Sequence, residues 1–277
     1  MLFLSVIICT SQGRESYLER CLSNLTQQTH SNFEVIIADD GSQNGIAIAK
    51  PFSAYFPLRY LHRKPDYCVS RSRNLAAAQA QGEILVFLDG DILLNPQALA
   101  AYSAHLSFRY QDLLYGYVGY LHHLQSPSFW FPGVQVNWWD SRFEWQDNRL
   151  VPNPKLFNHA YEMAWAGNFA IYRSTYLLLK GFDEAFQGWG GEDLDFAERA
   201  VNQGREVHFL LDAWAEHQIH DREEHFHRWP EDIKKKKYIF RPHPPLHYTV
   251  RVKGSSEALC DLENKIRTHY LPQNCEG

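Results

Sequence analysis

The chain has no Cys-x-x-Cys pair, no apolar run long enough to cross a bilayer and no excess of positive charge. Each absence removes a class of function. Five scattered cysteines (Cys9, Cys21, Cys68, Cys260 and Cys275), odd in number, offer neither a zinc ribbon nor a disulfide framework. They fit a reduced, cytosolic compartment. A membrane span needs about 18–20 consecutive apolar residues, and none is found. The apolar N-terminus "MLFLSVIICT" lacks a basic leader and a small-residue cleavage site, so it reads as a first strand rather than a signal peptide. A formal net charge of −5 gives no electrostatic case for nucleic acid as a partner. There is no internal repeat and no low-complexity segment. "TSQGRES" (10–16) holds one Gly and one Arg after the first strand. A sugar-1-phosphate nucleotidyltransferase wants a Gly-rich, basic loop there, so that class stays only as the lesser alternative.

What is present is ordinary in bulk and unusual in detail. The 277 residues, 45% hydrophobic and 21% charged, allow one large α/β domain or two small ones. Fourteen histidines and 14% aromatic residues are on the high side.

The first third alternates strand and helix patterns. "FLSVIICT" (3–10), "FEVIIAD" (33–39), "LRYLH" (58–62) and "EILVFLD" (83–89) read as strands. Residues 15–28 place Leu18, Cys21, Leu22 and Leu25 at helical spacing. "SRSRNLAAAQAQG" (70–82) and "NPQALAAYSAHLSF" (95–108) read as helices, the latter opened by an Asn-Pro cap. Such alternation predicts a mostly parallel sheet, with ligands beyond the carboxyl ends of its strands. Residues 122–165 are Trp-rich and weakly periodic. They include Trp130, Trp138, Trp139, Trp145 and Trp165, and the stretch 128–145 suggests a loop or lid. Regular patterns return at 168–184, at 188–204 (a Gly-rich loop opening a helix) and at 206–214 (a strand). Past 221 the chain is charged and His/Pro-rich. Its "KKKK" (234–237) is best read as a solvated face.

Four constellations carry chemistry. "LDGD" (88–91) sets Asp89 and Asp91 two apart at a strand end; it can be a plain turn, or two acids holding a hard cation that also holds phosphate. "ADDGS" (38–42) can be a turn or an acceptor of nucleobase and ribose hydrogen bonds. "WGGEDLD" (189–195) sets Glu192, Asp193 and Asp195 in a helix's first turn, where the dipole favours acids. It also places Trp189 beside two glycines, an arrangement suited to stacking on and hydrogen-bonding a sugar. "AEHQIHD" (215–221) carries His217 and His220, candidate ligands if an Asp-based metal site lies close.

These motifs, in this order and with "SRSRN" between the first two, resemble the inverting GT-A glycosyltransferases of family 2. The second half is similar to the galactosyltransferase-type region of the β-1,4-galactosyltransferases and bacterial chondroitin polymerase. The resemblance spans about residues 3–221, with "GWGGEDLD" its most specific part. It implies an α/β, Rossmann-like GT-A fold with a mostly parallel central sheet and flanking helices, a single domain with a C-terminal extension. Residues 1–110 would form the nucleotide-sugar half, 111–221 the acceptor and catalytic half, and 222–277 the extension.

The resemblance also implies roles. Thr10, Asp39, Asp40, Arg71, Arg73, Asn74, Asp89 and Gly90 would contact the nucleotide sugar. Asp91, with His217 and His220, would ligate a divalent metal, manganese in preference to magnesium. Trp189, Gly190, Gly191 and Glu192 would form the acceptor platform, and Asp193 the general base. Leu194 stands where the motif carries another acid. The implied activity is metal-dependent, inverting transfer of a hexose or N-acetylhexosamine from a UDP-sugar to a saccharide or glycoconjugate acceptor. The implied place is the cytoplasm, with loose association at the inner face of a membrane allowed. A catalytically inactive glycan-binding protein is the main competing reading.

Overall fold

The structure, a computed structural model, describes residues 1–108, 112–119, 125–137, 139–147, 149–153, 164–188, 190–220, 251–253 and 256–269. The chain opens with β1 (Leu4–Ser11), α1 (Glu15–Leu25), β2 (Phe33–Asp40), α2 (Gly45–Ala49), a 3-10 turn (Lys50–Ala54), β3 (Leu58–Arg63), α3 (Val69–Gln79) and β4 (Ile84–Asp89). A three-residue β5 (Ile92–Leu94) follows, then α4 (Ala98–Leu106) and β6 (Leu113–Val118). Four short strands come next: β7 (Gln125–Pro127), β8 (Gln135–Asn137), β9 (Phe143–Gln146) and β10 (Arg149–Pro152). The last third holds β11 (Asn168–Tyr172), α5 (Arg173–Leu178), α6 (Glu192–Asn202), β12 (Val207–Gln218), β13 (Arg251–Lys253) and α7 (Ser256–His269).

The main sheet runs β3-β2-β1-β4-β11-β6-β12-β8-β7, with β5 and β13 also paired to β12. Its first four strands are parallel, as the alternating pattern predicts. The expectation of a mostly parallel sheet stops there. β11 enters antiparallel to both β4 and β6, and β5 and β8 lie antiparallel to β12, so the sheet as a whole is mixed. β6 and β12 do run parallel. The carboxyl ends of β1, β2, β4, β6 and β12 therefore share one edge.

Alternation along each strand fills two cores. Ile7, Ile36, Phe87 and Phe169 face one way, toward Phe196 on α6; Val6, Ile8, Val35, Ile37, Val86 and Leu88 face the other, toward α1 and α4. Phe87 stacks on Phe169 at 4.9 Å, tying β4 to the antiparallel β11. Described parts of 222–277 join the same body. β13 pairs with β12, and α7 buries Leu262 and Ile266 in the core. The tetralysine stretch lies outside the described residues. No helix among the described residues is long and apolar enough to cross a membrane.

The Trp-rich segment is packed against the body. Trp139 is buried, and Trp130 stacks on Trp214 of β12 at 5.2 Å. Trp138 lies outside the described residues. The segment's anchor is a buried ion pair, Asp140 with Arg142. The Asp140 carboxylate accepts the Val118 N–H at 2.9 Å and the Arg142 Nη2 at 2.6 Å, and Arg142 donates to the Gly116 carbonyl at 2.9 Å. Removing one member of a fully buried pair leaves the other charge uncompensated. Asp140→Ala is expected to cost about 3–5 kcal/mol in urea unfolding; a loss under about 1 kcal/mol, the scale of an exposed pair, would contradict this account.

Candidate active site

The floor of the site is the turn Asp89-Gly90-Asp91, where β4 ends at the carboxyl edge. The Gly90 N–H donates to the Cys9 carbonyl at 3.0 Å, and a Cβ at Gly90 would meet that oxygen at 3.0 Å and the Thr10 side chain at 3.5 Å. Glycine lets the turn sit against the end of β1.

β5 then pairs antiparallel with the end of β12, with Ile92 opposite His217. The Asp91 carbonyl accepts the Gln218 N–H at 2.9 Å. Gln218 is itself fixed by Arg20 and by the Tyr17 carbonyl on α1. This register carries the Asp91 carboxylate to the histidines. Its Oδ2 lies 2.9 Å from His220 Nε2 and 3.8 Å from His217 Nε2. The three donor atoms lie within 4.8 Å of one another, on side chains that are 17%, 12% and 10% exposed for Asp91, His217 and His220. Desolvation works to raise the Asp91 carboxyl, but His217, His220 and Arg14 outweigh it and hold it at about 2. Two imidazoles and a carboxylate so converged suit a borderline divalent cation with further positions open.

Arg73 joins this floor to the opposite wall. It lies on α3, buried, with its guanidinium 5.0 Å over the Phe182 ring. It donates to Glu192 at 3.1 Å and to Asp89 at 3.4 Å. Burial works against its charge, but Asp89 and Glu192 more than compensate. Desolvation, opposed by Arg73 and reinforced by Asp91 and Glu192, raises the Asp89 carboxyl, whose side chain keeps 42% exposure.

The wall is the start of α6. Gly190 and Gly191 hold φ of 90° and 94°, left-handed angles that favour glycine, and Gly191 caps the helix. A Cβ at Gly190 would touch nothing, so the backbone angle alone demands glycine there. Trp189 lies outside the described residues. Glu192 is buried beneath Arg73, and Asp193 follows it, accepting the Leu194 N–H at 2.9 Å. Desolvation, with Glu192 beside it, pushes the Asp193 carboxyl up to about 7, against Arg73 and the backbone N–H groups of Leu194 and Ala166.

The acids at the end of β2 are engaged within the fold. Buried Asp39 accepts the Ser42 N–H at 3.0 Å and faces His62 Nδ1 at 2.6 Å. Asp40 accepts from Arg63 at 2.8 Å and from the N–H groups of Asp66 and Tyr67. A cleft of about 550 Å³ opens beside them, lined by Gly41, Tyr60, His62 and Pro65 among others. Thr10 stands opposite Asp39 in the sheet, its hydroxyl buried without a partner.

Two members of the basic segment have other tasks. Exposed Arg71 pairs with Asp66 and with Glu184 at 3.0 Å. Asn74 is spent at both ends of its amide: it donates to the Phe182 carbonyl at 2.9 Å and accepts from the Phe182 N–H at 2.9 Å and the Tyr176 hydroxyl at 2.6 Å. It fastens the 176–184 turn beside Arg73.

The structure adds residues that the motifs do not single out. Arg14 bears on Asp91 from just past β1, and the Tyr17 ring meets His220 edge-on at 5.7 Å. Glu216, next to His217 on β12, accepts the Ser128 hydroxyl at 2.6 Å and the Phe129 N–H at 2.8 Å, clamping the Trp-rich segment to the site's edge. The only sequence cue for Arg14 and Tyr17 was their place directly after a strand end.

Residues 5–161 match the family model for glycosyl transferase family 2, and residues 151–228 match one described as the N-terminal domain of galactosyltransferase. The validoxylamine A glucosyltransferase of Streptomyces hygroscopicus subsp. limoneus is 28% identical over 79% of this chain and 52% of its own length. The chondroitin synthase of Escherichia coli is 29% identical over 72% of this chain and 32% of its own. The chain thus spans about half or less of the length of these relatives. Among solved structures, S. aureus TarS 1–349 in complex with UDP-GlcNAc superposes with a TM-score of 0.59 at 20% identity, covering 81% of this chain and 60% of that one. GalNAc-T7 with UDP, GalNAc and Mn2+ superposes with a TM-score of 0.57 at 18% identity, covering 75% and 42%. These two likenesses show a shared glycosyltransferase fold. With the family model matching more than half of its length, the chain belongs to glycosyl transferase family 2.

Proposed function

We propose that this chain transfers a hexose or N-acetylhexosamine from a UDP-sugar to a saccharide acceptor, with inversion and with a divalent metal. The observation that carries the reading is the joining of two chemistries at one sheet edge. Asp91 meets His217 and His220, and Arg73 links Asp89 to Glu192, the neighbour of Asp193. Family membership supports sugar transfer. The UDP-GlcNAc of the TarS complex and the UDP and Mn2+ of the GalNAc-T7 structure support the donor and the ion.

Asp91, His217 and His220 would hold the metal, manganese suiting their donor set better than magnesium. Bound there, a divalent cation supplies positive charge against the diphosphate as it leaves. Thr10, Asp39, Asp40 and the Asp89-Gly90 turn line the strand ends where the nucleotide belongs, residues 1–110 forming this half. Arg73 stays protonated and keeps the Asp89 and Glu192 carboxylates apart in fixed places. Gly190, Gly191 and Glu192 form the acceptor side, with Trp189, outside the described residues, the candidate for stacking on the acceptor sugar. Asp193 takes the proton of the acceptor hydroxyl, which attacks the anomeric carbon from the face opposite the leaving diphosphate. Inversion follows without a nucleophilic side chain. A carboxyl near 7 is matched to that task, since a base works best close to the operating pH.

Asp193→Asn is expected to keep UDP binding by calorimetry while turnover falls about 10²–10⁴-fold; near-normal turnover would remove Asp193 from the role. In the parent protein, turnover should fall as pH drops below about 7, following protonation of that carboxyl. The same group predicts a stability effect of defined sign. Its folded value lies above its unfolded value, so the parent loses stability as pH rises from about 4 to about 7 and then levels. Asp193→Asn is spared that loss, so its melting temperature should exceed the parent's at pH 8, and the gap should narrow toward pH 4. An equal or lower melting temperature at pH 8 would contradict the buried-carboxyl account.

A further inference from the structure

A second convergence of metal-ligating side chains lies at the opposite edge of the sheet. His105 is in the last turn of α4, Asp112 immediately precedes β6, and His208 is the second residue of β12. β6 and β12 run parallel, Val207 opposite Leu113, so both deliver their amino ends to one place. His217 stands near the other end of β12, nine positions on and roughly 25–30 Å away at strand rise. The two clusters are separate.

The geometry is that of a small cage. Asp112 Oδ2 lies 2.9 Å from His208 Nε2 and 3.8 Å from His105 Nε2. The three donor atoms lie within 4.8 Å of one another. The rings stand 5.4 Å apart between centroids. Tetrahedral zinc with ligands at about 2.0–2.1 Å needs ligand–ligand edges of about 3.3 Å, between the two carboxylate–imidazole spacings seen here. The carboxylate of Glu206 reaches His208 Nε2 at 3.1 Å from the rim, where its side chain is 42% exposed. It stands at the mouth beside His208, outside the converged trio, and leaves the solvent side for a further ligand.

The trio is buried, and His105 is the member whose Nε2 ring nitrogen lacks a hydrogen bond. The side chains of His105, Asp112 and His208 are 9%, 10% and 0% exposed, and His105 Nε2 is buried without a hydrogen-bond partner while aimed at Asp112. Imidazole nitrogens and carboxylates taken out of water this far need compensation. A divalent ion compensates all of them at once. It would also cross-link the neighbouring α4 and β6 to β12, which lies about ninety positions further along the chain.

We propose that His105, Asp112 and His208, with Glu206 at the mouth, form a structural zinc site independent of the nucleotide-sugar centre. A proton shared between Asp112 and His208 is the competing occupant, and it gives the opposite result below. The test uses the full chain carrying Asp91→Asn, His217→Ala and His220→Ala, stripped with chelator and titrated with zinc chloride by calorimetry. This parent variant should bind zinc and melt at a higher temperature with zinc than with EDTA. Adding His105→Ala should remove one zinc equivalent per chain, or weaken it by about 100-fold or more, beyond the usual outer-shell effect. Measuring the loss against the parent isolates this cluster from the chain's other histidines. Cobalt in the folded parent should give the intense visible bands of a tetrahedral nitrogen and oxygen site, so the test does not depend on His105→Ala folding. Zinc uptake and melting temperature unchanged by His105→Ala, or octahedral cobalt alone, would overturn the proposal.

Discussion

Everything at the active edge depends on one short piece of strand pairing. β5 is three residues long, and its antiparallel register with β12 fixes where the Asp91 carboxylate points. Side chains alternate with a period of two, so a slip of one residue would turn Asp91 away from His220 and bury a different set. The pairing holds because β5 is apolar and fully buried, and because Gln218, just past the register, is gripped by Asp91 and α1 from either side. A turn with two repelling acids thereby sets one carboxylate against two imidazoles.

Arg73 is the second constraint. It is a buried cation flanked by carboxylates on two elements, and it converts two separate motifs into one electrostatic unit. Removing carboxylates from water is unfavourable, and crowding them more so; the guanidinium makes the crowding tolerable. Desolvation and crowding still raise the Asp89 carboxyl and push that of Asp193 up to about 7. Holding such acids out of water costs the fold stability.

Much of this was legible in the sequence, for identifiable reasons. Strands buried on both faces appear as continuous apolar runs, so β1, β2 and β4 were readable, and with them the acids at their ends. α1 was readable from the spacing of Leu18, Cys21, Leu22 and Leu25, all buried. β5 was not, because three apolar residues after a turn carry no period. β6 and β11 escaped for a related reason: their antiparallel meeting is set by long-range pairing that no local pattern encodes. The Trp-rich stretch suggested a loop, since strands of three or four residues are too short to show alternation; Trp139 proved buried, with Trp130 and Trp145 packed partly buried against the core. Asn74 sat inside a recognisable motif, yet its amide is consumed by the 176–184 turn, a partner more than a hundred positions away. The motifs name candidate residues; only the fold could say which of their polar groups are already engaged within it.

The central claim is that Asp91, His217 and His220 act together on a nucleotide-bound metal. Diffraction from crystals grown with UDP and manganese, measured at the manganese absorption edge, addresses it directly. The account predicts an anomalous peak within coordination distance of the Asp91 carboxylate and at least one of the two Nε2 atoms, with the diphosphate on its far side. UDP bound at the strand ends with no such peak, or manganese held elsewhere, would contradict it.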